Sequence, residues 1–137
     1  MDLTENVKQI SAYPAVTLAS AATTLGAAVD CSGYDKVTYI LDTGTFTGAS
    51  CAADVKIVES AASGGTYSDI VGAVFVQVVA ANDVATYVGR VHVNPAKPFQ
   101  KVSITTSGTV TTCPISVSAL LHDTGLKRPV ITPSFQV

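Results

Sequence analysis

Charge is the first thing this chain lacks. Only 13% of its 137 residues are charged, about half the usual share for a soluble domain. The net charge is −2, and no basic run or arginine stripe occurs. That excludes the electrostatic footprint of a nucleic-acid binder. Sparse charge also does little to keep copies apart. A neutral exterior is easily buried against other protein, which points to an assembly component. Tryptophan is absent and aromatics make up 7%. This argues against a sugar-binding module, which presents flat rings; tyrosine would have to substitute.

No apolar run reaches the length of a membrane span, since the longest, Ile70 to Ala81, is too short. The opening MDLTENVKQI carries early acids and no apolar segment, so it does not read as a signal peptide. Cysteine is scarce and odd in number: Cys31, Cys51 and Cys113. Their spacing is too wide for a local metal knuckle. They read as small buried or half-buried thiols of a reducing compartment, with a disulfide or a thiolate site as the alternatives. The glycines fall in turns or within strands, and none forms a phosphate-cradling loop. No cofactor is expected.

What is present is β pattern. At 137 residues, size scaling allows one core without metal or disulfide help. The stretch 69–93, DIVGAVFVQVVAANDVATYVGRVHV, is rich in β-branched residues. It reads as a central hairpin: Ile70–Ala81, a turn at Ala81-Asn82-Asp83, then Thr86–Val93. In the second half Tyr87, Gly89, Val91 and Val93 share a face against Val88, Arg90 and His92. The segment 34–42 alternates most cleanly, Val37, Tyr39 and Leu41 opposing Lys36, Thr38, Ile40 and Asp42. Val55 and Ile57 oppose Asp54, Lys56 and Val58; Val102 and Ile104 oppose Lys101, Ser103 and Thr105. In the last long strand Ile115, Val117, Ala119 and Leu121 oppose Ser116, Ser118 and Leu120. Gly64-Gly65, Asn94–Pro98 and Ser107-Gly108 mark turns.

The expected fold is all-β: an antiparallel β-sandwich or jelly roll of about seven to eight strands with extended N- and C-terminal arms. Residues 1–26 are read as an N-terminal arm with a short strand, 27–125 as the β domain, and 126–137 as a C-terminal arm. The tail LKRPVITPSFQV holds two prolines and apolar residues that a free tail would waste.

Catalytic signals are weak. Asp42, Asp54, Asp69 and Asp83 fall near strand ends, without the dense acidic spacing of a calcium loop. They read as a solvated rim. His92 and His122 read as surface or interface histidines; a hydrolase would need one of them set against an acid in a pocket. The second, partly apolar strand faces are the better functional signal. Ile40, Val58 and Leu120 are interface candidates there, and Lys127, Arg128, Val130, Ile131, Phe135 and Val137 are candidates on the tail.

Four segments together resemble small accessory proteins of tailed-bacteriophage particles, of the head decoration or cement kind. They are AAVDCSGYDKVTYIL at 27–41, VKIVESAASGGTYSDI at 55–70, DVATYVGRVHV at 83–93, and the closing strand followed by LKRP at 126–129. The resemblance spans about 27–129. One departure is Pro98-Phe99, where such proteins have a basic–aromatic pair. The resemblance implies a non-enzymatic virion protein on the outer capsid surface, made in the bacterial cytoplasm. Its partners would be the major capsid protein and copies of itself, as a homo-oligomer such as a trimer. No nucleic acid, membrane or small-molecule substrate is implied. A neck, tail or spike-base subunit is the nearest rival reading, and a receptor- or carbohydrate-binding module the next.

Overall fold

Residues 7–122 are described by a computed structural model. Ten strands follow in order: β1 (Val7–Leu18), β2 (Thr23–Leu25), β3 (Val29–Asp30), β4 (Lys36–Thr43), β5 (Ala52–Ser60), β6 (Ser68–Val74), β7 (Val78–Val79), β8 (Thr86–His92), β9 (Phe99–Ser107) and β10 (Cys113–His122). They form two open antiparallel sheets. One has four strands in the order β1-β10-β4-β8. The other has six, running β2-β9-β5-β6, with β3 also on β9 and β7 also on β5.

This corrects the expected architecture. Among the described residues the ladders stop at β1 and β8 in one sheet and at β2 and β6 in the other, so no jelly-roll barrel closes. The count is ten because β2, β3 and β7 are only two or three residues long. Alternation cannot reveal a strand that short. The stretch read as an N-terminal arm contributes the twelve-residue β1, paired along β10 from Val7↔His122 to Leu18↔Cys113. Two register shifts bend it, between Ser11 and Tyr13 and between Tyr13 and Val16.

The expected central hairpin does not form. Its first half pairs with β5 through β6 and β7, whereas its second half, β8, pairs with β4 in the other sheet. The turn at 81–83 is present but serves as a crossing. Asn82 Oδ1 accepts the Val79 N–H, and the Val84 N–H, at φ +50°, reaches the Gly44 carbonyl. Gly72, at φ +82°, breaks β6 midway. A long apolar run is thus divided between two strands of one sheet, most of it outside the core.

Alternation otherwise predicts facing well. Val37, Tyr39 and Leu41 from β4 meet Ile115, Val117, Ala119 and Leu121 from β10 in one core. The six-stranded sheet supplies Val55, Ile57, Val102 and Ile104 to the same cluster. A polar contact crosses its middle: Tyr39 Oη donates to Gln100 Oε1 at 2.7 Å, both side chains fully buried. Gln100 Nε2 has no partner among the described residues. Tyr39→Phe therefore orphans the whole amide and is expected to cost about 1–3 kcal/mol. Tyr39→Phe with Gln100→Leu replaces both polar groups, so the double variant should lose less than the two singles summed. Urea unfolding measures this cycle.

Candidate assembly surface

In an antiparallel ladder, directly opposed residues point to the same side. The core residues of β4 therefore place Lys36, Thr38, Ile40 and Asp42 on the outer face of the four-stranded sheet. The register sets them in rows: His122, Lys36 and His92; then Gln9, Leu120, Thr38 and Arg90; then Ser11, Ser118, Ile40 and Val88; then Ser116, Asp42 and Thr86. The face is basic at one end, apolar in the middle and acidic at the other. Ile40 and Leu120 are half-buried there and Val88 is exposed. Two of the proposed interface residues thus share one surface.

Val58 does not belong to it. It points outward from β5, opposite Lys101, but is only 5% exposed. The 61–67 loop folds over that side, with Lys101 Nζ 4.5 Å from the Tyr67 ring centre and Tyr67 Oη on the Ser63 carbonyl. The side chain that alternation marks as available is thus buried. Lys127, Arg128, Val130, Ile131, Phe135 and Val137 lie outside the described residues.

Among the described residues, a run of exposed valines is a feature that sequence reasoning missed. Val71 is fully exposed, and Val74 and Val76 are mostly so, along the β6 edge. These residues were expected inside the central hairpin. The sign of their position was Gly72 and Gln77 interrupting the run. Beside them a cleft of about 100 Å³ lies between β6 and β8, with Tyr39 and Ile57 deep in it and Gly72, Val74 and Arg90 at its rim. Phe75 reaches across to Gly89, where a Cβ would stand 3.1 Å from the ring. A drug-sized ligand needs several times that volume, roughly 300 Å³ or more.

The titratable groups are dispersed, and the carboxylates near the strand ends are each partnered. Thr86 Oγ1 donates to Asp42, Gln77 Nε2 to Asp54, and the Phe46 N–H to Asp83, while Asp69 pairs with Lys56 at 2.8 Å. His122 Nε2 lies 3.0 Å from Thr38 Oγ1, and His92 stands exposed opposite Lys36. No three of His, Cys, Asp and Glu gather to hold a metal ion among the described residues. All three cysteines are buried and free. Burial pushes the Cys31 thiol up to about 12 and the Cys113 thiol up to about 11, where neither is a ready nucleophile at neutral pH.

No family model, no curated protein and no solved structure matches this chain.

Proposed function

We propose that this chain is a structural subunit of a virus particle, a capsid decoration subunit that reinforces the major capsid protein lattice. The apolar β6 edge carries the reading. Val71 and Val74 on β6, and Val76 just after it, stand in water, and the edge strand has Asp69 as its one charge. Edge strands of isolated proteins are normally blunted by charge, proline or a cover. Here a register shift in the β5/β6 ladder and Gly72 bend the edge, but three valines stay uncovered among the described residues, which fits a surface that is covered in an assembly. Low charge and a body of two open sheets support the same reading.

The same surface would serve a neck, tail or spike-base subunit. A carbohydrate-binding module would call for exposed tyrosines beside a groove, and all five tyrosines are buried or half-buried. The test is cosedimentation with capsids assembled from the major capsid protein of the same genome without this chain. Binding is expected. Val71→Asp combined with Val74→Asp should abolish it while leaving the thermal midpoint nearly unchanged, because both side chains are already in water. Absence of wild-type binding overturns the capsid reading.

A further inference from the structure

We infer that the outer face of the four-stranded sheet is a self-docking surface, on which a second copy packs with its strands antiparallel. Three observations converge on it. The first is where the unpaired cations lie. Lys56 pairs with Asp69, Lys97 approaches Glu59 and Lys101 lies over the Tyr67 ring, while Lys8, on the edge strand β1, has no ion pair among the described residues. Lys36 and Arg90 make no ion pair among the described residues, and both stand at one end of this face beside His92 and His122.

The second is the charge gradient. Lys36 and Asp42 are six residues apart on β4, about 20 Å along the strand. Asp42 is exposed and held in place by Thr86 Oγ1. A twofold axis in the plane between two such faces, perpendicular to the strands, brings each basic end over the partner's acidic end. Lys36 then meets the second copy's Asp42 twice, as an isologous contact requires. Ile40, Val88 and Leu120 fill the middle of the interface, out of water.

The third is shape. The register shifts of β1 open a shallow hollow of about 460 Å³ at the acidic end. Ala15, Val16, Thr17, Asp42, Pro114 and Ser116 line it. A long lysine side chain fits there, its stem on Thr17 and Pro114 and its ammonium at Asp42. Arg90 leans toward the cleft between β6 and β8, so it need not face its symmetry mate. This pairing leaves the β6 edge free, and it can hold or fail independently of capsid binding.

Sedimentation equilibrium of the full chain, from micromolar to sub-millimolar concentration, tests the inference. The wild type should dimerise, more weakly as salt rises. Lys36→Asp and Asp42→Lys should each raise the dimer dissociation constant by about tenfold or more, since each puts like charges together twice. An equimolar mixture of the two variants should recover dimers, because every facing pair is then opposite in sign. The double variant should recover them too. A wild type that stays monomeric overturns the inference, even if capsid binding persists. So do dimers indifferent to both substitutions, which would place the contact elsewhere. A monomer in which crosslinking from Lys36 captures residues 126–137 would give the face to this chain's own C-terminal segment, again overturning it.

Discussion

Gly48→Ala is expected to lower stability by about 3 kcal/mol or more, a fall in the thermal midpoint of roughly 10 °C. Gly48 has φ +124°, and a Cβ there would sit 1.9 Å from the Thr109 carbonyl oxygen. The obstacle is backbone, so no side chain can turn aside. Segments 47–50 and 108–112 run against each other at this point. The Thr47 N–H meets the Thr112 carbonyl at 2.9 Å, and the Thr109 N–H meets the Ala49 carbonyl at 2.9 Å. One segment carries the chain from β4 to β5 and the other from β9 to β10, so both cross between the sheets. Gly108, at φ +77°, makes the reciprocal approach, with its Cβ position 2.1 Å from the Ser50 carbonyl oxygen.

Two control sites separate steric exclusion from backbone preference. Gly33 has φ +84° but nothing within 4 Å of a Cβ, so Gly33→Ala should cost only about 1 kcal/mol. Gly64 has neither constraint, and Gly64→Ala should stay within about 0.5 kcal/mol of the wild type. Thermal or urea unfolding of the three variants should rank them Gly48, Gly33, Gly64. Equal midpoints for Gly48→Ala and Gly64→Ala would show that the crossing segments do not constrain the fold.

Alkaline titration should destabilise the protein strongly. Cys31 is raised from 9.0 to about 12, first by burial and then by the nearby Asp30 charge. Cys113 is raised from 9.0 to about 11, first by burial and then by Cys51. Unfolded, both thiols ionise near 9.0. Between that pH and the folded values the native chain holds protons that the unfolded chain has released. Their stabilisation is complete below about pH 9 and is lost as pH rises through 11 and 12. Each such group contributes a slope of about 1.4 kcal/mol per pH unit, so the two thiols together should remove on the order of 4 kcal/mol between pH 9 and 11. Tyr39, also raised by burial, steepens the loss above its ordinary value of 10.0. Urea midpoints across this range measure it. Cys31→Ala should flatten the slope by about half. A wild-type profile that is level to pH 11 would mean that the thiols are not sequestered.

Strand facing was legible where alternation ran six residues or more. Val37, Tyr39 and Leu41 are all fully buried, and the residues between them face outward. Pairing was not legible. The apolar run beginning at Ile70 looked like the middle of the core, yet Val71, Val74 and Val76 are in water. A period-2 pattern reports which side of a strand is apolar, not which sheet receives the strand. Val58 carries the same lesson in reverse: it faces outward as expected, but it is buried on the side where Tyr67 and Lys101 pack.

By itself, then, the chain's order of residues determined that this is a β protein of sparse charge, how β4, β5, β8, β9 and β10 face, and where several of its turns fall. These follow from side-chain geometry within a few consecutive residues. The tertiary structure alone decided that β6 and β8 part into different sheets and that Ile40, Val88 and Leu120 meet on one face between Lys36 and Asp42. It alone decided that Gly48 and Gly108 must lack side chains where two crossings touch. Each of these depends on segments far apart in the chain arriving together, and no local pattern encodes an encounter of that kind.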